Sequence, residues 1–194
     1  MIVEQILVTD MVVFCYLVVD EVTAKAVLID PAGDFDRILK KIKEHKAEVI
    51  HIINTHGHID HTMGNAEAVR LTGAKVMIHK EDAFMLRGTN YEIDFINDGQ
   101  SIEFGMSRLN VIHTPGHSGG GICLYTNGCI FTGDTLFTEG MGRTDIGNAS
   151  QKEIMLSISK KILSFPDDTI IYPGHHYGRK PTSTVSEQKR IYLR

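Results

Sequence analysis

The chain has 194 residues, of which 42% are apolar and 23% are charged, and its formal net charge at pH 7 is −4. This length predicts a single domain over residues 1–194 with a sizeable core. The slightly negative charge disfavours a nucleic-acid partner. No apolar run reaches the ~20 residues of a membrane span, and the N-terminus does not resemble a signal peptide. We therefore expect a soluble, cytoplasmic protein without a membrane partner.

Three cysteines occur in the chain, Cys15, Cys123 and Cys129. Their number is odd, no two of them form a CxxC pair, and each lies in an apolar, strand-like context. This usage is typical of small buried side chains in a reducing compartment rather than of a disulfide framework.

Apolar runs rich in Val, Ile and Leu predict five strands in the first half of the chain, over residues 2–8, 12–20, 25–30, 49–54 and 74–79. Apolar residues at helical spacing predict three helices between or after these strands, over residues 35–45, 61–72 and 80–86. Residues 87–99 are predicted to form a loop.

Five further strands are predicted in the second half, over residues 101–104, 109–114, 121–126, 129–132 and 169–172. A long amphipathic helix is predicted over residues 150–164, before the last of these strands. Runs of strands interrupted by single helices indicate an α+β fold, with helices packed outside two sheets.

The most informative segment is the loop after the strand at 49–54, where four residues of types that bind metals occur close together: His56, His58, Asp60 and His61. Imidazole and carboxylate together suit zinc and other borderline first-row metals. Together with the candidate ligands later in the chain, these residues exceed the four donors of one closed tetrahedral site. The segment therefore predicts a catalytic metal centre.

Three later segments repeat the same format, in which a short apolar strand is followed by a turn bearing a ligand type. They contribute His117, Asp134 and His175. Ligands at strand ends can converge at one edge of a sheet, where rigid elements hold them in place. The total of five histidines and two aspartates is what two metals sharing a carboxylate require.

The HxHxDH segment at 56–61, followed in chain order by His117, Asp134 and His175, resembles the metallo-β-lactamase-fold superfamily. That resemblance implies an αββα sandwich with a dimetal site along one edge. It implies two divalent ions, zinc in the first place, with iron or manganese as alternatives. The implied ligands are His56, His58 and His117 for one metal and Asp60, His61 and His175 for the other, with Asp134 as the bridge.

Within that superfamily, residues 114–118, 131–137 and 142–145 resemble the glyoxalase II group, which hydrolyses glutathione thioesters. The same segments resemble persulfide dioxygenases, which use one iron held by two histidines and one aspartate. Larger glyoxalase II enzymes continue into a helical glutathione-binding region, which we do not expect here. The resemblance is therefore to the short glyoxalase-II-like hydrolases, and the thiol carrier stays open.

The predicted function is hydrolysis of a small-molecule thioester or related thiol derivative, in which a hydroxide held by the metals attacks the carbonyl carbon. Asp60 is the candidate catalytic residue because it can orient that hydroxide while binding metal. Arg143 and Tyr177 are candidates for substrate binding, and His113 is a candidate for supporting the ligand His117.

The main alternative is a mononuclear Fe(II) persulfide dioxygenase, favoured by residues 142–145 and by the His176–Tyr177 pair. A structural zinc module is disfavoured because such sites are closed and usually cysteine-rich. A nuclease is disfavoured by the charge, and β-lactamase activity does not follow from the fold. The sequence does not distinguish a monomer from a homodimer.

Overall fold

The computed structural model describes residues 1–8 and 10–193, which form two six-stranded sheets. The first sheet contains, in spatial as well as chain order, β1 (Ile2–Val8), β2 (Val13–Val19), β3 (Lys25–Ile29), β4 (Glu48–Ile53), β5 (Lys75–His79) and β6 (Ile93–Ile96). Its first three strands are antiparallel neighbours, and β3 to β6 run parallel to one another.

The second sheet contains β7 (Ser101–Phe104), β8 (Ser107–His113), β9 (Ile122–Thr126), β10 (Cys129–Gly133), β11 (Ile170–Pro173) and β12 (Ser183–Thr184). These strands also follow one another across the sheet in chain order, from β7 at one edge to β12 at the other. Strands β10 and β11 are parallel, and the other neighbouring pairs are antiparallel.

The α-helices are α1 (Phe35–Glu44), α2 (Ile59–Thr62), α3 (Asn65–Thr72), α4 (Gln151–Leu156) and α5 (Val185–Tyr192). A 3₁₀ turn spans Ala83–Leu86. Helix α4 continues as a π turn over Ser157–Lys161 and a 3₁₀ turn over Ile162–Ser164. No helix among the described residues is long and apolar enough to cross a lipid bilayer.

Three apolar layers hold the fold together. The central layer joins inward-facing side chains of both sheets, among them Phe14, Leu109 and Phe131. The outer face of the first sheet packs against α1 and α3, and the outer face of the second packs against α4 and α5. The predicted αββα sandwich is therefore confirmed. The three cysteines are free and buried, as predicted.

Two predicted helices are interrupted. The helix expected over 61–72 is divided into α2 and α3 at Met63 and Gly64, and Gly64 packs so closely on Pro31 that a Cβ atom there would collide with its carbonyl oxygen. The helix expected over 150–164 is α-helical only as far as Leu156, where the π turn takes over. The helix expected over 80–86 is reduced to the 3₁₀ turn.

Three elements were missed. Strand β6 lies inside the predicted loop at 87–99, and its four residues pair with β5 alone. Because Phe95 is 58% exposed, the alternation of buried and exposed residues that marks a strand is weak there. Strand β12 and helix α5 follow the last predicted strand. Helix α5 begins with a capping box between Thr184 and Glu187, a signal present in the sequence.

Strand β2 of the first sheet fixes the end of β11 in the second sheet, from which His175 projects. The buried hydroxyl of Tyr16 donates a hydrogen bond of 2.5 Å to the carbonyl oxygen of Pro173. The backbone N–H of Phe14 donates to the carbonyl oxygen of Gly174 at 2.8 Å. The two sheets are therefore tied together directly beside a predicted metal ligand.

We predict that Tyr16→Phe lowers the free energy of unfolding by about 1–2 kcal/mol, because the buried carbonyl oxygen of Pro173 loses its partner. Urea denaturation measures this effect. Tyr125→Phe is the control, since that ring packs by stacking on Phe165. Equal stability of the Tyr16 and Tyr125 variants would contradict this role for the Tyr16 hydroxyl.

Candidate metal centre

The structure brings the seven predicted ligands together at one edge of the sandwich, where β4, β8, β10 and β11 end. Six of them form two groups, each with ligand atoms lying within 4.8 Å of one another: His56, His58 and His117, and Asp60, His61 and His175. These are the two sets that the resemblance implied. All except His58 and Asp60 are buried side chains.

In the first group, which we call the three-histidine cluster (His56, His58 and His117), one ring nitrogen of each side chain lies within 4.8 Å of the others. The Nδ1 atom of His58 lies 2.9 Å from Nε2 of His117. The hydroxyl of Thr55 donates its proton to Asp30 at 2.6 Å, so it can only accept from Nδ1–H of His56, at 3.1 Å. Nε2 of His56 therefore carries a lone pair, and it is buried without a partner.

In the second group, which we call the mixed cluster (Asp60, His61 and His175), the Nε2 atoms of His61 and His175 are 3.1 Å apart. The Oδ2 atom of Asp60 lies 3.5 Å from Nε2 of His175. Helix α2 begins at Ile59, so Asp60 and His61 occupy consecutive positions in its first turn.

Asp134 lies between the two clusters. Its Oδ2 is 3.5 Å from Nε2 of His117 in the first cluster and 3.4 Å from Nε2 of His175 in the second, while Oδ1 is 3.3 Å from Nε2 of His61. Gly174 makes this position accessible, because a Cβ atom there would collide with Oδ1 of Asp134. The carboxylate therefore lies within 3.5 Å of histidine nitrogens of both clusters.

Asp30 is a functional residue that the sequence reasoning missed. Its buried carboxylate accepts hydrogen bonds from the backbone N–H of Thr55 at 2.7 Å, from the Thr55 hydroxyl, and from Nδ1–H of His61 at 3.0 Å. This contact leaves Nε2 of His61 free to face the mixed cluster, as carboxylate partners of metal-binding histidines do. Asp30 directly follows β3, so the strand-end pattern that selected the other segments could have found it.

These donor atoms fit a pair of borderline divalent metals. Two facing imidazole nitrogens repel unless a proton or a cation lies between them, and both clusters contain such a pair. Tetrahedral zinc with bonds of ~2.0–2.1 Å holds neighbouring ligands about 3.3 Å apart. The observed separations of 2.9 and 3.1 Å are close to that spacing. Nitrogen and carboxylate ligands without thiolate suit zinc, iron or manganese.

The protonation of the ligands differs between the clusters. Burial lowers the pKa of His56 well below its ordinary value, which keeps its imidazole neutral. Burial also lowers the pKa of His61, but the carboxylates of Asp134 and Asp30 raise it well above its ordinary value. For His175, burial is again outweighed, and its carboxylate neighbours, Asp134 first, raise the pKa to about 9. Without a cation, the mixed cluster therefore holds protons at neutral pH.

The predicted substrate-binding residues line the cleft over the metal centre. The guanidinium of Arg143 makes a bidentate ion pair with Asp145, at 2.7 and 2.8 Å, at the exposed rim. The ring of Tyr177 stacks on His175 at 4.4 Å between centroids and is 56% exposed. Both side chains are accessible to a ligand, and their role in substrate binding stays a prediction.

His113 supports the centre less directly than predicted. Its Nε2 contacts the carbonyl oxygen of Gly119 at 2.8 Å, in the loop after His117. Nδ1–H of His117 itself donates to the carbonyl oxygen of Arg143, at 2.9 Å. His176, the neighbour of a ligand, packs its ring against Phe14 rather than into either cluster.

The metal centre opens into a cleft of about 600 Å³. Apart from the ligands and Arg143, its walls are mainly apolar or aromatic, with contributions from Ile59, Phe137, Met141, Ile146 and Tyr177. Ile59 is 72% exposed, although it stands between the ligands His58 and Asp60. The cleft therefore offers apolar contact area directly beside the metal ligands.

Fold and site together define a metallo-β-lactamase-type protein, and comparison with known families agrees. The model of the Metallo-beta-lactamase superfamily matches residues 8–175. The chain belongs to this superfamily, whose members bind divalent metals.

Relatives within the superfamily differ in reaction. The "Probable polyketide biosynthesis zinc-dependent hydrolase PksB" of Bacillus subtilis is 32% identical over 184 residues, covering 93% of this chain and 81% of that protein. The mitochondrial persulfide dioxygenase ETHE1 of Homo sapiens is 35% identical over 182 residues, covering 92% and 69%. A hydroxyacylglutathione hydrolase of Polaromonas is 33% identical over 170 residues, covering 84% and 62%.

Solved structures share the fold. ETHE1 from Myxococcus xanthus superimposes with a TM-score of 0.89 at 31% identity, covering 100% of this chain and 84% of that one. TTHA1623 in a di-iron-bound form has a TM-score of 0.84 at 27% identity, covering 96% and 97%. Membership of the superfamily therefore does not select the reaction.

We predict that metal binding at the mixed cluster strengthens as the pH rises from 6 to 8, by about tenfold per pH unit for each proton displaced. The raised pKa values of His61 and His175 are the cause, because a cation must replace their protons. Calorimetric titration in buffers of different ionisation enthalpy counts the released protons. His175→Ala should release fewer, and pH-independent affinity would contradict the prediction.

Proposed function

We propose that the protein is a metal-dependent hydrolase of thioesters, related to the glyoxalase II group, with two divalent ions at its centre. The observation that supports this most is the complete mixed cluster beside the three-histidine cluster, with Asp134 within 3.5 Å of histidine nitrogens of both. A single ion would use one cluster and leave the other as a buried set of facing nitrogens and carboxylates.

The three-histidine cluster would hold one ion, the mixed cluster the other, and Asp134 would contact both. When bound, two such ions supply an activated water at neutral pH and polarise a carbonyl oxygen. The chain's own contribution is to orient the reactants. Asp60 lines the cleft, so its carboxylate can accept a hydrogen bond from the attacking water and orient it.

The cleft walls would position the thioester above these groups. Ile59 and Ile146 provide apolar surface for the acyl group, whose burial contributes ~25 cal/mol per Å². Arg143 can exchange its exposed partner Asp145 for an anionic group on the thiol carrier, since exposed ion pairs are worth little. The hydroxyl of Tyr177 can donate a hydrogen bond to the substrate.

A second candidate function is the dioxygenation of a persulfide at a single iron. Similarity to the two ETHE1 proteins favours it, at 35% and 31% identity. In that case one iron would occupy the site, and the remaining ligand residues would act by orienting the substrate and holding protons.

Metal analysis together with two activity assays tests the proposal. We expect about two zinc, iron or manganese ions per chain in protein purified from its native host, and hydrolysis of a glutathione thioester or an N-acetylcysteamine thioester. His58→Ala and His175→Ala should each remove one ion and abolish hydrolysis. One iron per chain, with rapid oxygen uptake on glutathione persulfide and no thioester hydrolysis, would overturn the proposal in favour of the dioxygenase.

We predict that Arg143→Met raises KM about tenfold for a thioester with an anionic thiol carrier and changes kcat less than about twofold. The reason is that the guanidinium would bind the carrier, while its backbone carbonyl still holds His117. N-acetylcysteamine thioesters, whose carrier is neutral, provide the control. An equal rise in KM for both substrates would show that Arg143 does not bind the anionic group of the thiol carrier.

A further inference from the structure

Asp82 is a fully buried carboxylate that belongs to neither metal cluster. It follows β5 and precedes the 3₁₀ turn that begins at Ala83, and its side chain is 0% exposed. Burial of a carboxylate is unfavourable unless hydrogen bonds replace its water. The partners of Asp82 therefore indicate what the residue is for.

The three hydrogen bonds that the Asp82 carboxylate accepts within the described chain all come from the loops that carry the three-histidine cluster. Oδ2 accepts from the backbone N–H of Gly57 at 3.0 Å and from the hydroxyl of Ser118 at 2.6 Å. Oδ1 accepts from the backbone N–H of Gly120 at 2.7 Å. Gly57 lies between His56 and His58, and Ser118 directly follows His117.

The two loops are shaped around this carboxylate. A Cβ atom on Gly120 would lie 2.7 Å from Cγ of Asp82, and one on Gly57 would lie 2.9 Å from its backbone oxygen. Any larger side chain at these positions would push Asp82 away from the loops. Segments 25 and 38 residues distant from Asp82 in sequence are therefore fitted to one another around it.

The donors to Asp82 are two backbone N–H groups and a hydroxyl, all of them neutral. Its negative charge is thus spread over hydrogen bonds but not cancelled. The centre of the adjacent histidine cluster is where a cation would compensate it. Both the geometry and the charge of Asp82 therefore favour a metal ion held by those histidines.

We propose that Asp82 is a positioning residue for one half of the metal centre. It locks the loop of His56 and His58 to the loop of His117, so that three imidazoles from separate segments meet at one point. This inference rests on the proposed metal centre but not on the substrate, because the test measures metal binding. Asp30 has the corresponding position in the other half, through its bond to His61.

The test compares metal affinities of the metal-free full-length chain and its variants, by titrating Zn²⁺ and Co²⁺ against a chromophoric chelator. Asp82→Asn should lower the affinity for one of the two ions about 10–100-fold and change the affinity for the other by less than about threefold. Asp20→Asn is the matched control. Asp20 is also a buried carboxylate with neutral donors, from Thr23 and Ser107, and lies outside the metal centre.

Double variants identify which ion is lost. In the Asp82→Asn background the tightly bound ion should be the one in the mixed cluster. His58→Ala should therefore leave its binding unchanged, whereas His175→Ala should abolish it. If Asp82→Asn still binds both ions with unchanged affinity, the proposal is overturned. An equal loss of affinity for both ions would overturn it as well. If Asp82→Asn does not fold, Ser118→Ala removes one of the three bonds and decides the question. A several-fold loss confined to one ion supports the proposal, and unchanged binding of both overturns it.

Discussion

The structure depends on one electrostatic constraint: imidazole nitrogens and carboxylates are packed against one another at an edge where little water can separate them. His58 faces His117 and His61 faces His175 at hydrogen-bond distance, with Asp134 between the pairs. Such a group is stable only if protons or cations occupy the space between the donors. The raised pKa values of His61 and His175, caused by neighbouring carboxylates, favour protons in the mixed cluster when no cation is bound, and divalent ions would take their place.

The rest of the fold keeps these groups from moving apart. Each ligand follows a strand whose side chains are fixed in a buried layer, and the loops are then held by buried polar contacts. Asp30 orients His61, the Arg143 carbonyl orients His117, and Tyr16 ties the strand before His175 to the opposite sheet. Two sheets and the four loops that carry the candidate ligands thus act as one rigid frame, which is what precise ligand geometry requires.

The sequence selected the candidate ligands that the structure gathers at one edge, because their signal is local. The HxHxDH segment and the repeated strand-then-turn format carry residue types whose chemistry is specific, and buried strands such as β2 are continuous apolar runs. Features that depend on distant contacts were missed. The break between α2 and α3 lies where Gly64 packs on Pro31, a contact distant in sequence, and β6 pairs with β5 alone. The contacts of Asp30 and Asp82 are invisible in the sequence until the loops they bond are brought together, and the substrate depends on exposed side chains whose partners can change.

The central claim is that both clusters bind metal at once. Anomalous X-ray diffraction from crystals of natively purified protein, recorded above and below the zinc, iron and manganese absorption edges, tests it most directly. The account predicts two anomalous peaks, one among His56, His58 and His117 and one among Asp60, His61 and His175, each in contact with Asp134. A single peak at full occupancy, with the other cluster free of metal, would contradict it.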